Sequence, residues 1–268
     1  MAEARRWTRQ ELLLVLNLYD KLRFGQFHSR QPVIIDVANR MNRSPGSLAM
    51  KLSNLASLDP KLQARGIVGL QGASNMDREV WTEFQANRDS MVPASEEAMH
   101  ELFQAGDTEE VEIEGDKGVQ VRPMLSASEG PTSVLGNVLV RRGQQYFRQA
   151  VLSVFSGRCG ITGIGIRELL VASHILPWAK FPKTRLEPQN GVALSRLHDG
   201  AFDRGLISFD EEYRLILSDR LRRHFPQRAL EENFSAYEGR PLTFASDVAS
   251  PSQDYLTIHR KEWGFRPA

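Results

Sequence analysis

Apolar residues recur at helical spacing through the first third of the chain. Leu12, Val15, Leu16 and Tyr19 share one face. Thr8 precedes them as a cap, Glu11 is its capping-box partner, and Trp7 is placed to staple onto Leu12. A loop over 24–31 leads to Pro32, which opens a second helix through Met41. Asn42-Arg43-Ser44-Pro45 is a tight connection in which Ser44 caps a third helix and Pro45 takes its first position. Leu48, Leu52 and Leu55 form the apolar stripe of that helix. Ser47, Lys51 and Asn54 each lie one position earlier, as an adjacent polar stripe. Further helices are expected over 77–88 and 95–105, with Trp81 and Phe84 turned to the core.

The pattern then changes. The glycines at 66, 69 and 72 mark a loop; no Lys-Ser/Thr pair follows them, which excludes a phosphate cradle. From Gly106 to Pro131 acidic residues, Gly, Ser and Pro dominate, the composition of a linker with room for one short strand pair. Val138 to Gln144 opens the next domain, and a helix from Gln145 to Phe155 ends at Gly157. Leu169 to Leu176 reads as a strand, 177–190 as a long loop, Gly191 to Leu194 as a short strand and 195–204 as a helix. Leu206 to Phe209 and Tyr213 to Leu217 form a hairpin around Asp210-Glu211-Glu212, and a helix is expected around 228–236. The organisation is therefore α+β: a helical domain over 1–105, an acidic linker over 106–130 and a second domain over 131–268.

Composition adds three constraints. A hydrophobic share of 41% with 25% charged residues is that of a globular protein, and no apolar run reaches the ~20 residues of a membrane helix. One cysteine rules out an internal disulfide framework; with a charged start that runs straight into a helix, it points to a cytoplasmic protein without a secretory signal. The net charge of +1 hides an uneven distribution. Residues 1–65 carry eleven Lys/Arg against five Asp/Glu, 66–130 four against fourteen, and 131–268 nineteen against fourteen. Two basic ends suit a nucleic-acid partner, because Lys and Arg make phosphate contacts.

The chemistry concentrates between Cys159 and Gly205. Cys159-Gly-Ile-Thr162-Gly163 precedes Ser173-His174-Ile175. Asn190-Gly191 follows the loop, and His198-Asp199-Gly-Ala-Phe202-Asp203-Arg-Gly205 closes the run. A His, an Asn and a His in this order resemble the HNH nucleases, in particular the subfamily with Cys-x-x-Thr-Gly before the first His and His-Asp-x-x-Phe-Asp-x-Gly around the last. The resemblance implies a ββα-metal fold and cleavage of phosphodiesters with one divalent ion, Mg²⁺ or Mn²⁺. By that resemblance His174 is the general base, a role that suits a neutral imidazole. Asn190 pins the loop, and His198 stands on the metal side of the helix.

Two departures from the wider pattern bear on the ion. Ser173 stands where many relatives carry Asp or His before the base. His198 follows Asn190 by eight residues rather than the commoner nine, and the ninth position is Asp199. The ion is therefore assigned to His198, to Asp199 or to both, with His198 favoured; Asp203 is a third candidate that otherwise holds Arg204. Cys159 lacks a Cys-x-x-Cys partner, which excludes a structural zinc.

The helical domain, with two helices joined by a short turn, reads as a helix-turn-helix and resembles the domain fused to HNH nucleases in restriction-type proteins. Arg43, Ser47, Lys51 and Asn54 are its expected contacts to double-stranded DNA. The reading is a DNA endonuclease of restriction or phage-defence type, with a homodimer as the simplest route to cutting both strands. The alternative from another class is an inactive HNH fold kept by a DNA-binding regulator; RNA cleavage ranks third.

Overall fold

Thr8 and Glu11 close the capping box expected of them. The Thr8 hydroxyl accepts from the Glu11 N–H, and the Glu11 carboxylate accepts from the Thr8 N–H at 2.9 Å. They start α1 (Arg9–Lys21), the first element of a computed structural model that describes residues 5–123 and 135–265. α2 (Pro32–Arg40) and α3 (Pro45–Ala56) follow, with Ser44 capping and Pro45 at the first position as expected. α4 (Pro60–Gln63), α5 (Asn75–Ala86) and α6 (Arg88–Phe103) complete this helical set. The predicted stripe of Leu48, Leu52 and Leu55 is buried, as are Leu12, Leu16, Trp81 and Phe84.

The stretch read as an acidic linker contains an antiparallel pair. β1 (Glu109–Glu114) and β2 (Gly118–Pro123) pair in register from Glu109 with Pro123 to Glu114 with Gly118. Gly118 has φ near +89°, and a Cβ there would lie 2.2 Å from Asp36 Oδ2, which accepts from the Val119 N–H at 2.9 Å. Only glycine fits so close to α2. Residues 124–134, which hold the end of the expected linker and the start of the expected second domain, lie outside the described residues.

α7 (Leu135–Val154) begins ten residues before the predicted Gln145. Val138 to Gln144 is part of the helix, because Arg142, Gln145, Tyr146 and Gln149 fall on one inward face at helical spacing. Arg142 pairs with Glu97 at 2.8 Å, Tyr146 donates to Asp20 at 2.8 Å, and the Gln149 amide donates to Val111 O at 2.7 Å. Contacts divide the chain into two units inside this helix: Met1–Ala150 with Asp247–Ala249, and Val151–Ser246 with Ser250–Ala268.

The first unit buries charge as well as hydrocarbon. Lys21 and Glu96 form an ion pair at 2.5 Å, with side chains 1% and 0% exposed, and the Asn17 amide donates to the same carboxylate at 2.9 Å. The expected polar stripe of α3 does not form an open face. Lys51 is buried and reaches both Asp77 oxygens at 2.8 and 2.9 Å; Asn54 is buried as well. Arg43 donates to both Glu11 oxygens at 2.8 Å, and its guanidinium sits 3.9 Å from the Trp7 ring centroid. Ser47 is half-buried, its N–H taken by the Ser44 hydroxyl. Helical spacing puts residues on one side of a helix, but Asp77 of α5 draws Lys51 inward and the loop at Gly72 lies against Asn54.

The second unit carries β3 (Leu170–His174) and β4 (Gly191–Ser195), antiparallel from Leu170 opposite Ser195 to His174 opposite Gly191. α8 (Arg196–Phe202) follows directly. The predicted hairpin is present as β5 (Ile207–Phe209) and β6 (Leu215–Leu217). Asp210 Oδ1 closes its turn by accepting from the N–H groups of Glu212 and Arg214. α9 (Asp219–Arg222), α10 (Arg228–Asn233) and α11 (Gln253–Trp263) complete the described chain. No helix among the described residues is long and apolar enough to cross a membrane.

Candidate active site

The motif residues outside the chemistry are explained by packing. Phe202 is fully buried and stacks on His259 with ring centroids 4.1 Å apart. Gly205 has φ near +61°, and a Cβ there would lie 2.2 Å from the Trp263 ring. Phe202 and Gly205 thus fasten the end of α8 to α11. His259 is structural: Nδ1 faces the Ser208 hydroxyl at 3.0 Å and Nε2 faces Phe202 O at 3.2 Å. Cys159 is a buried free thiol; its N–H bonds to Ile164 O, and the next N–H, of Gly160, bonds to Ala193 O on β4. Cys-x-x-Thr-Gly is therefore a turn pinned to the strand that leads into α8.

Asn190 is completely buried and closes the loop between the strands. Its Oδ1 accepts from the Leu176 N–H at 2.8 Å, and its Nδ2 donates to Leu176 O at 3.2 Å and Thr184 O at 3.3 Å. Its backbone O accepts from Ile175 N at 2.9 Å. One side chain thus satisfies backbone groups at both ends of a loop with no strand partner.

His174 ends β3 and is half-buried. Its Nε2 lies 2.9 Å from Arg185 O. A carbonyl only accepts, so Nε2 carries the proton and the basic lone pair of the neutral ring is on Nδ1. The Trp178 ring meets the imidazole edge-on at 5.4 Å, and the Arg185 guanidinium lies 5.0 Å from the Trp178 centroid. Burial lowers the His174 pKa, against a smaller upward pull from the Arg185 carbonyl. The ring is therefore neutral at neutral pH.

His198 is placed differently from the expectation. It is 1% exposed, with Nδ1 2.8 Å from the Ser195 hydroxyl and Nε2 2.8 Å from Asn233 O. Because Asn233 O only accepts, Nε2 must donate, which leaves Nδ1 to accept from Ser195. Both nitrogens are occupied, and Phe234 and Tyr237 pack against the ring at 5.2 and 6.3 Å. His198, favoured for the ion, thus has both ring nitrogens hydrogen-bonded within the protein in this structure. The Ser-x-x-His spacing was a visible signal for the first partner. Asn233 is 35 residues away and had no signal.

The next residue has different surroundings. Asp199 is partly buried, and burial raises its carboxyl pKa, while Ser173, Arg196 and Arg204 pull it down. Asp203 is raised by burial and by the negative charge of Asp199, and lowered by Arg204. The two carboxyls, one helical turn apart, therefore feel each other. The Ser173 hydroxyl is 2% exposed and lacks a hydrogen bond of good geometry, although it is near enough to hold Asp199 down. Two carboxylates and a hydroxyl are hard oxygen donors and fit Mg²⁺ or Mn²⁺, which need one or two carboxylates beside water and phosphate. Among the described residues no three His, Cys, Asp or Glu side chains are grouped to hold an ion by themselves.

A strand, a clamped loop, a strand and a helix, with a neutral histidine at the strand end and carboxylates on the helix, define the ββα class of hydrolytic sites. Residues 159–210 match the family model described as HNH endonuclease, and this segment belongs to that family. The match points to nuclease activity on a nucleic-acid substrate. No curated protein matches the chain.

Proposed function

We propose that the protein is a divalent-metal-dependent endonuclease that hydrolyses phosphodiesters in double-stranded DNA. His174 takes the proton from the attacking water at Nδ1. The reading is supported by the His174 tautomer: the Arg185 carbonyl holds the proton on Nε2, which makes Nδ1 the basic nitrogen, and burial keeps the ring neutral. Asn190 positions that ring by fixing Leu176 and Thr184 on either side of the loop. Asp199 and Asp203 would hold the ion, whose charge stabilises the developing negative charge on phosphate oxygens when bound. Exposed Lys180, Lys183, Arg196 and Arg223 supply positive surface on the same unit for the DNA backbone.

The test is digestion of plasmid and of modified phage DNA with Mg²⁺ or Mn²⁺, by wild type and His174→Ala. The variant is expected to lose about 10²–10⁴-fold in rate while still binding DNA. Equal cutting by both proteins removes His174 from the mechanism. A preference for one DNA over the other bears on the restriction-type role. Ser173, standing where many relatives carry an acidic ligand, favours a second reading, a fold kept for binding. Wild type that binds duplex DNA but never cuts it would establish that second reading.

A further inference from the structure

The second unit exposes six large apolar side chains among its described residues: Ile164, Ile166, Leu169, Leu197, Ile258 and Trp263. The first four gather in one region, which distinguishes them from the singly scattered apolar residues of an ordinary surface. Ile166 and Leu169 are joined through a single 3₁₀ turn over Arg167–Leu169, closed by the Leu169 N–H on Ile166 O at 2.9 Å. Residues three apart eclipse on such a turn, so the two side chains share a face. Leu197 is brought to them from the other strand: Leu170 pairs with Ser195, and Arg196 Nε donates to Glu168 O at 3.0 Å. Ile164 stands at the margin, its carbonyl held by the Cys159 N–H at 2.8 Å. Ile166, Leu169 and Leu197 are 55%, 43% and 52% exposed, on backbone that these bonds make rigid.

The charge around this apolar edge selects its partner. Arg158, Arg167 and Arg196 flank it, with Arg158 Nη1 donating to Gly163 O at 3.1 Å, and Glu168 is the one acidic residue between Arg158 and His174. A second copy docked on the same edge through a two-fold axis would set these arginines against themselves. A nucleic-acid duplex suits both properties, with phosphates outside for the arginines and stacked apolar bases inside for a wedge. We propose that Ile166, Leu169 and Leu197 wedge into a base step of the duplex, so that the protein selects DNA that unstacks easily. The inference rests on the nuclease reading and adds a substrate preference to it. The length of β3, about 13 Å at ~3.3 Å per residue, separates the edge from His174 and corresponds to about four base pairs. Duplexes with a mismatched or flexible step about four base pairs from the cut are therefore the preferred substrates.

The experiment compares the full chain as wild type and as Leu169→Ser with Leu197→Ser, exposed positions at which substitution spares the fold. Binding in EDTA at stepped salt is measured for a short duplex, fully paired or with one central mismatch, and cuts made with Mn²⁺ are mapped on both. Wild type should bind the mismatched duplex about tenfold or more tightly, because part of the unstacking is already done. Its cuts should concentrate about four base pairs from the mismatch. The double variant should lose both preferences and keep the wild-type slope of log affinity against log salt, since no phosphate contact is removed. Leu169→Ala and Leu197→Ala are carried alongside and should each lose part of the preference, which keeps the test open if the double variant melts early. Equal affinity of wild type for the two duplexes, with cleavage intact, overturns the inference and leaves the nuclease reading standing. Folded variants that keep the preference overturn it as well. Wild type that sediments as a dimer, with a monomeric double variant, overturns it in favour of a second copy on this edge. A wild-type protein that neither binds nor cuts DNA overturns both readings together.

Discussion

Replacing His198 by Ala tests whether this histidine holds an ion or holds the fold. The substitution removes one buried and one part-buried hydrogen bond of 2.8 Å each and leaves the buried Ser195 hydroxyl without its partner. Leaving a buried polar group unpaired costs about 1–3 kcal/mol. The space between Phe234 and Tyr237 adds a smaller cavity cost. The sum is about 3 kcal/mol or more. For a unit of this size each kcal/mol is worth roughly 4 °C, so the melting temperature should fall by about 10 °C or more. The assay is thermal unfolding by circular dichroism in EDTA, where no ion contributes, followed by calorimetric titration with Mn²⁺ below the melting point. The folded variant should bind Mn²⁺ like wild type. Wild-type melting combined with lost Mn²⁺ binding would refute the argument and return the ion to His198.

Asp199→Asn should abolish cleavage and weaken Mn²⁺ binding while leaving the protein as stable as wild type or more so. Its folded pKa is raised above the unfolded value, so the ionised carboxylate costs stability once pH exceeds the folded pKa. Melting in EDTA should therefore favour the variant at neutral pH, and the difference should vanish as pH falls through about 4. A variant less stable at pH 7 than at pH 4, relative to wild type, contradicts that sign. Lys51→Ala leaves Asp77 buried without its partner and should cost about 3–5 kcal/mol in the first unit. DNA affinity per folded molecule should not change. Normal melting with weakened DNA binding would restore the polar stripe of α3 as a contact surface.

What the sequence revealed and what it hid divide along one line: whether the partner is close in the chain. Thr8 with Glu11, Ser44 with Pro45 and the stripe of Leu48, Leu52 and Leu55 are all defined within about two helical turns, and each is built as read. The order β3, loop, β4, α8 was legible for the same reason. The inward turn of Lys51 was hidden because Asp77, which draws it in, lies 26 residues on. His198 was assigned to the ion because Asn233, whose carbonyl takes one of its nitrogens, gives no pattern in sequence. α7 was begun late because Leu139 and Val140 are exposed and the first inward positions, Arg142 and Gln145, are polar, so no apolar stripe marks its start. α11 was missed altogether, its signal confined to His259, Arg260 and the neighbours they meet only after folding.

The Asn190 clamp makes the loop behind the base replaceable. Leu176, Thr184 and Asn190 fix the two ends, and the Arg185 carbonyl fixes the His174 ring. The seven residues from 177 to 183 lie between these anchor points and none of them bonds to Asn190. Extending such a segment costs little, about 0.6 kcal/mol per doubling of its length. Trp178, Lys180 and Lys183 occupy this stretch, so on the proposed reading the side chains around His174 can be exchanged while its ring stays in place. The loop is a cassette: its contents can follow a changing target, and its frame is written in a single amide.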